Sequence, residues 1–165
     1  MEPNSHQMLV HLELLFGRVP KEYPGGRVEI AVGYPDGKIN VAKTFDATDL
    51  EGAVKYAEGM SLEGRNVYVG VNPRKPSVSR DGRCKDNDVE IAFFNFADFD
   101  DIKSVELFDN SKVTVSSFKV LTGTKPGRRF HAYYELEEPC KNLDAWEATQ
   151  TCIIEHFSSD KAVKN

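Results

Sequence analysis

Several features that would assign the chain to a specialised class are absent. Its three cysteines, Cys84, Cys140 and Cys152, are odd in number and lack Cys-x-x-Cys spacing, so neither a disulfide framework nor a zinc site is predicted. No apolar run is long enough to span a bilayer, and the N-terminus has no secretory signal pattern. We therefore expect a soluble protein of the cytoplasm, with no membrane partner.

The chain also lacks a net positive charge. Its formal net charge is −5 at pH 7, which argues against a surface that coats nucleic acid non-specifically. A local basic groove is still compatible with this total, because acids that bind metal are counted in it. The 165 residues suit one compact domain, residues 1–165. Helical and strand periodicities interleave along them, which predicts an α/β or α+β class with a mixed sheet.

The run at residues 88–100 is rich in β-forming residues and ends in two carboxylates. It is apolar at both odd and even positions, which predicts a central strand covered on both faces. Strand side chains alternate, so Asp98 and Asp100 point the same way, about 6.6 Å apart along the strand. Carboxylates at this spacing can share a pair of divalent cations. The alternative is a solvated strand end, with Asp101 capping the following helix.

A second strand is predicted at residues 128–136, behind a turn built from Gly, Thr, Lys and Pro. Its alternation places Arg129 and His131 on one face, next to Arg128. A guanidinium and an imidazole on one face can both bind phosphate oxygens. The alternative is a core histidine flanked by surface arginines. Pro139 is expected to end the strand.

Residues 73–87 combine Arg and Lys with Pro, Ser, Asp and Gly and contain almost no hydrophobic residues. This composition predicts a mobile basic loop. Its side chains Arg74, Arg80, Arg83 and Lys85 could contact nucleic-acid phosphates, which would add affinity without reading sequence.

Four helices are predicted from apolar spacing, one of them a short helix at residues 101–110. The first occupies residues 5–16 and the second follows a capping-box pattern at Thr48 and Glu51. Asn142 can cap the last helix, whose stripe consists of Leu143, Trp146, Gln150, Ile153, Ile154 and Phe157. Asp160 lies just beyond this helix. It is either a solvated acid in a frayed tail or a third carboxylate for a two-metal site, which needs two or three convergent acids.

With these residues in view, the chain resembles the archaeo-eukaryotic primase superfamily, in particular plasmid and phage primase-polymerases with a RepB-like primase domain. The resemblance covers nearly the whole chain. Its markers are Asn66-Val-Tyr-Val-Gly-Val-Asn-Pro-Arg74, Ala97-Asp-Phe-Asp100, the run at residues 121–134, and the tail at residues 159–165. The resemblance implies an RRM-like catalytic sheet with flanking helices, beside a smaller N-terminal α/β subdomain.

The resemblance also implies an activity and its acidic residues. Asp98 and Asp100 match the first motif of the family, and Asp160 is the best match to its third. They would be catalytic ligands of two divalent cations, Mg²⁺ or Mn²⁺. The implied activity is that of a DNA primase-polymerase, which uses NTPs or dNTPs on a single-stranded DNA template in plasmid- or phage-type replication.

The second motif of the family, often Ser-x-His, contacts the phosphates of the incoming nucleotide. His131 matches its histidine, and Arg129 stands where the family often has serine. Arg129, with Arg128 beside it, is therefore expected to bind the nucleotide together with His131.

The chain stops at Asn165, close to its third motif. We therefore expect an N-terminal fragment of a longer protein, in which a helicase domain commonly follows.

Two other functions are open: a non-catalytic nucleic-acid-binding module for replication initiation, and a phosphohydrolase of the haloacid-dehalogenase type. The motif from Asp98 to Ile102 superficially suits the latter, but such a motif usually opens its domain, and no convincing downstream Gly-Asp pair is present.

Overall fold

The computed structural model describes residues 3–35, 37–112 and 115–160. The chain divides into two compact units, Met1–Glu90 and Ile91–Asn165. Each unit contains a three-stranded antiparallel sheet with helices, which confirms the mixed α+β class. The N-terminal unit is the longer of the two, not the smaller one that was expected. In the described residues, no helix combines the length and apolar character needed to cross a membrane.

The N-terminal unit is built around a central strand, β1. Its elements are α1 (Ser5–Phe16), α2 (Val19–Glu22), β1 (Arg27–Gly33), β2 (Ile39–Asp46), α3 (Leu50–Leu62) and β3 (Asn66–Val69). β1 pairs antiparallel with both β2 and β3. Helix α3 packs on one face of this sheet, where Tyr56 meets Phe45 and where Val28 and Ile30 are buried. The apolar face of α3 therefore covers this face of the sheet.

The basic segment at residues 73–87 is attached to this sheet, contrary to the prediction of a mobile loop. Its backbone forms hydrogen bonds with Arg27 of β1 and with Thr44 and Ala42 of β2. The buried carboxylate of Glu29, on the face opposite α3, accepts from the Cys84 N–H at 2.8 Å. A buried carboxylate needs donors of this kind. Composition predicted the exposure of the segment correctly, but it could not reveal these long-range hydrogen bonds.

The capping-box pattern predicts Thr48 as the cap of helix α3, but the helix is capped by Asp49. The Asp49 side chain accepts a hydrogen bond from the Gly52 N–H at 3.0 Å. The Thr48 hydroxyl instead donates to Asp46 at 2.7 Å. The sequence pattern was therefore shifted by one residue, because a neighbouring carboxylate engages the threonine.

Replacing this cap gives a first testable prediction. Because the Gly52 N–H would lose its acceptor, Asp49→Ala is expected to lower the free energy of unfolding by about 1 kcal/mol and Tm by about 3 °C. Thr48→Ala is the matched control, with an expected loss of at most about 0.5 kcal/mol. Thermal melts followed by circular dichroism measure both. An equal or larger loss for Thr48→Ala would contradict the assignment of the cap.

The C-terminal unit is a helix-covered sheet. Its elements are β4 (Ala92–Phe99), α4 (Ile102–Asn110), β5 (Phe118–Gly123), β6 (Arg129–Cys140) and α5 (Leu143–Phe157). The strand order is β4-β6-β5, and both pairings are antiparallel. Asp101 caps α4 and Asn142 caps α5, each by accepting from a backbone N–H, as the sequence predicts. Residues 112–122 are rich in β-forming residue types. The strand found there, β5, begins only at Phe118, and residues 113–114 lie outside the described residues.

The two faces of this sheet are chemically different. The face that carries Phe99 and Phe130 packs on the helices, where Phe99 contacts Phe108 of α4 and Phe157 of α5 with ring centroids 4.9 and 5.4 Å apart. On the other face, Tyr133 stacks between Phe96 and Phe118. The even-numbered positions of β4 on this second face end at Asp98. The strand pleat thus separates an aromatic core from the face that carries the candidate site.

Strand β4 lies at an edge of its sheet, contrary to the prediction of a central strand. Within the described residues it pairs with β6 alone, although most of its side chains are buried on both faces. Its free edge faces α5, where the Trp146 Nε1–H donates to the Phe94 carbonyl at 2.9 Å. Burial on both faces was predictable from composition, but the position of the strand in the sheet was not.

Strand β6 continues past Pro139 to Cys140, so the expected end of the strand is wrong. Cys140 pairs with Ala92, and the next pair is Glu135 with Phe94. Pro139 therefore lies opposite an irregularity in the ladder. A proline is tolerated where the ladder does not use its missing N–H.

Candidate active site

The strand pairing brings an acid and a histidine of the predicted site together. Asp98 of β4 is the direct partner of His131 of β6, so both side chains lie on the same face of the sheet. The His131 Nε2 is 3.4 Å from the Asp98 Oδ1, and both side chains are partly exposed. Arg129 lies on the same face of β6, two residues before His131. β4 ends at Phe99, and Asp100 is the next residue after the strand.

His131 is held between two partners. Its Nδ1 is 3.4 Å from the hydroxyl of Tyr133, while its Nε2 faces Asp98. Tyr133 is almost completely buried, and this burial, together with the negative charge of Asp98, raises the pKa of its hydroxyl. Tyr133 therefore stays protonated and orients the imidazole ring.

Asp160 is attached to the same strand through its backbone. Its N–H donates to the carbonyl of Asp98 at 3.2 Å. Its negative charge also acts on Asp100: partial desolvation raises the pKa of the Asp100 carboxyl most, and the charges of Asp98 and Asp160 raise it further. The three predicted acids thus lie at one end of the sheet.

Arg129 lies against a glycine at the rim of the sheet. A Cβ at Gly123, its partner in β5, would be 2.5 Å from the Arg129 Nη2, so the guanidinium occupies space that only glycine leaves open. Among the described residues, the Nε of Arg129 is buried without a hydrogen-bond partner. A buried, unpaired guanidinium nitrogen is costly unless an anion approaches it.

An open cleft of about 390 Å³ lies beside these residues. One wall consists of residues 100–103, which include Asp100 and the first turn of α4, and the other consists of residues 126–129. Its volume falls within the range of small-molecule sites. The cleft combines carboxylates on one side with guanidinium groups on the other.

Arg128, predicted to bind nucleotide, is already engaged. Its Nη2 is 2.6 and 2.7 Å from the two carboxylate oxygens of Asp109, and its guanidinium lies over the ring of Phe130. Both partners of the ion pair are about half exposed. The structure therefore separates Arg128 from Arg129, which the sequence had grouped together.

The predicted DNA-binding residues all belong to the N-terminal unit. Arg74 forms a largely buried ion pair with Glu29, with 2.8 Å between its Nη2 and the Glu29 Oε2, so it anchors the basic segment. Arg80, Arg83 and Lys85 are exposed. Their contact with DNA stays a prediction.

No family model matches the sequence, and no curated protein matches it. Solved structures do. The AEP domain of the primase-polymerase (PrimPol) of cyanophage S-2L has a TM-score of 0.68 at 21% identity, over 100% of this chain and 79% of that chain. The chain has a primase-polymerase fold.

Two further structures share the primase fold. Primase RepB′ gives a TM-score of 0.55 at 15% identity, over 93% of this chain and 46% of that chain. The catalytic domain of primase Repb′ in complex with initiator DNA gives 0.54 at 15% identity, over 93% of this chain and 71% of that chain. The expected fold is confirmed, while the roles of individual residues stay predictions.

The donors that the primase fold places at this edge fit a hard divalent cation. Mg²⁺ prefers oxygen ligands and usually binds through one or two carboxylates plus substrate phosphates. Asp98, Asp100 and Asp160 supply such oxygens. Desolvation most of all, and then the charges of Asp98 and Asp160, raise the pKa of Asp100, and a cation would offset the repulsion among the acids. Among the described residues, no three His, Cys, Asp or Glu side chains form a ready-made metal cage. The substrate phosphates would therefore have to complete the coordination.

Two residues of the site escaped the sequence reasoning. Tyr133 belongs to no recognised motif, although strand alternation places it on the same face as His131. Gly123 was assigned to a turn, and its contact with Arg129 depends on the β5–β6 register, for which the sequence contains no signal.

The raised pKa of Asp100 predicts a pH-dependent stability effect. The folded state binds a proton at Asp100 more tightly than the unfolded chain, so stability falls as the pH rises from about 3.8, the ordinary value, through the raised folded pKa. In metal-free protein at pH 7, Asp100→Asn is expected to leave Tm unchanged or raise it by about 1–2 °C. The gain should disappear below the ordinary pKa. Melts from pH 3 to pH 8 measure it, and a loss of Tm at neutral pH would contradict the crowding of the acids.

Proposed function

We propose that this chain is a metal-dependent nucleotidyltransferase of the primase-polymerase class. It would synthesise primers or extend DNA from nucleoside triphosphates on a single-stranded template, in the cytoplasm, during plasmid- or phage-type replication. The observation that carries the proposal is the pairing of Asp98 with His131, because it sets carboxylates beside phosphate-binding side chains on one sheet face. The fold likeness to primases supports it.

The acidic side of the site would hold the metal. Asp98, Asp100 and Asp160 are the residues proposed to bind Mg²⁺ or Mn²⁺. When bound, two such ions would stabilise the charge on the attacking and leaving oxygens of nucleotidyl transfer. Without a cation, the three carboxylates repel one another, so they are suited to bind one.

The cationic side would hold the triphosphate. Arg129 has a buried Nε without a partner in the described part of the chain, and a phosphate oxygen would satisfy it. His131 is proposed to contact the phosphates from the neighbouring position, with its ring orientation set by Tyr133. The 3′-hydroxyl of the growing strand would give its proton to water, and its oxygen would bond to the α-phosphorus. The bond from that phosphorus to the bridging oxygen would break, and pyrophosphate would leave.

The template is proposed to contact the basic segment. Arg80, Arg83 and Lys85 are exposed on a backbone that is hydrogen-bonded to the sheet. Contacts of this kind would be made to phosphates and would be independent of sequence. Arg74, which is paired with Glu29, would contribute by holding the segment in place.

A primer-synthesis assay tests the proposal. The chain is incubated with single-stranded DNA, labelled NTPs or dNTPs, and Mn²⁺ or Mg²⁺, and the products are resolved on a denaturing gel. We expect metal-dependent oligonucleotide products that disappear on addition of EDTA and reappear with excess Mn²⁺.

Two other results would contradict the proposal. Binding of a primer-template without nucleotide incorporation, even by a longer chain, would instead support a replication-initiation module. Hydrolysis of a generic phosphomonoester without incorporation would support a phosphohydrolase.

A further inference from the structure

The free edge of β4 is closed by side chains of α5. Gln150, which has no exposed surface, uses both ends of its amide on one residue of the strand. Its Nε2 donates to the Phe96 carbonyl at 2.6 Å, and its Oε1 accepts from the Phe96 N–H at 3.1 Å. The same Oε1 accepts from the Asn95 side chain at 3.0 Å. Gln150 therefore replaces the neighbouring strand that β4 lacks on this side.

The hydrogen bonds follow the periods of the two elements. Trp146 donates to the carbonyl of Phe94, and Gln150, one helical turn later, bonds to Phe96. Four residues of helix rise by about 6.0 Å, and two residues of strand by about 6.7 Å. The i, i+4 positions of α5 thus match the i, i+2 positions of β4, and the next carbonyl in the row is that of Asp98.

The helix does not supply the partner for Asp98. The next position on α5 is Ile154, whose side chain is buried in the core. The chain instead turns back at Ser158, in the left-handed conformation (φ 51°), and the Ser159 N–H donates to the Ile154 carbonyl. The Asp160 N–H then donates to Asp98, which completes the row.

We infer that Gln150 is a positioning residue for the acids of the candidate site. It fixes the register of α5 against β4, and this register sets where the turn after α5 places Asp160 relative to Asp98. The inference rests on the proposed function, because it gives Gln150 a purpose in metal binding. Its sequence signal was a buried glutamine within an apolar helical stripe.

The variant Gln150→Met tests the inference, because methionine has similar length but cannot bond to Phe96. The first measurement is amide hydrogen exchange in metal-free protein. We expect the Asp160 amide to exchange at least tenfold faster in the variant, relative to the core amide of Ala132. The second is direct Mn²⁺ binding, followed by the electron paramagnetic resonance of free Mn²⁺. We expect about tenfold weaker binding, the usual effect of losing a group that orients a metal ligand.

Ile154→Val is the matched control on the same helix, because it removes one buried methyl group but leaves the hydrogen bonds to β4. If its loss of Tm is smaller than that of Gln150→Met, Ile154→Ala replaces it. We expect the control to change Mn²⁺ affinity by less than twofold and to leave the Asp160 amide protected. If Gln150→Met does not fold, Trp146→Phe, which removes the hydrogen bond to the Phe94 carbonyl one helical turn earlier, tests the same register, and a shift of about threefold is expected.

The outcomes separate the inference from the proposed function. Equal losses of Mn²⁺ affinity in Gln150→Met and its control, or unchanged exchange at Asp160, would overturn the role of Gln150. Absence of Mn²⁺ binding by the wild-type chain would overturn the proposed metal chemistry. In that case the exchange comparison still decides whether Gln150 sets the position of Asp160.

Discussion

Replacing Asp98 and Asp100 by alanine together is expected to lower primer synthesis by about 10³-fold or more, to the background of the assay. The two acids are the proposed metal ligands at the end of β4. Asp160 and Asp101 also act on Asp100, but the Asp101 side chain caps α4 by accepting from the Ser104 N–H. Because Asp98 and Asp100 repel each other, the double variant should fold with a Tm close to that of the wild type. Product formation on single-stranded DNA and thermal melts measure the two effects.

The matched control removes two negative charges elsewhere in the same unit. Glu147 and Glu155 are exposed on α5, and the variant Glu147→Ala with Glu155→Ala should retain primer synthesis within about twofold. Full activity in the Asp98 and Asp100 variant would exclude the nucleotidyltransferase assignment. Equal losses in both double variants would mean that net charge, not metal binding, controls the activity.

The second large effect is expected for Arg129→Gln, which should raise the KM for the nucleoside triphosphate by about 10- to 100-fold. A charge-assisted hydrogen bond to phosphate would be lost, and the shorter neutral side chain cannot replace it. Titration of a fluorescent nucleotide measures the binding loss separately from turnover. We expect the variant to lose mainly affinity for the nucleotide, with a smaller loss of turnover.

Two companion variants make this prediction specific. Lys119→Gln removes the same charge from β5, where Lys119 lies over Phe108 and Phe130 on the other face of the sheet, and it should change KM by less than about threefold. Gly123→Ala retains Arg129 but places a Cβ where its guanidinium lies, so an intermediate rise in KM is expected. Equal effects of Arg129→Gln and Lys119→Gln would indicate general electrostatics instead of a phosphate contact.

The sequence predicted those features that local physics determines. The bounds of α1 follow from apolar spacing, and the start of α5 follows from its capping residue Asn142. Strand alternation predicts that Arg129 and His131 lie on one face, and they do so in β6. The fold could be predicted mainly through the resemblance, and the solved structures confirm that fold at 15–21% identity.

The features that the sequence did not predict depend on pairing between distant segments. The partner of Asp98 could not be predicted, because a strand pattern is the same for every register. The ion pair of Arg128 with Asp109 and that of Arg74 with Glu29 also join distant segments. In each case the sequence shows a charged side chain, but the tertiary structure determines which residue it pairs with.

The closed edge of β4 also affects the tendency of the protein to aggregate. The strand Ala-Phe-Phe-Asn-Phe-Ala-Asp-Phe has high β-propensity, little charge and no proline, which is the composition of aggregation-prone segments. Edge strands of this kind pair readily with other chains when their backbone groups are free. Trp146 and Gln150 bond to these backbone groups of β4 and thus prevent the strand from pairing with another chain. Detachment of α5 would expose a template for it, and heating is therefore expected to end in aggregates.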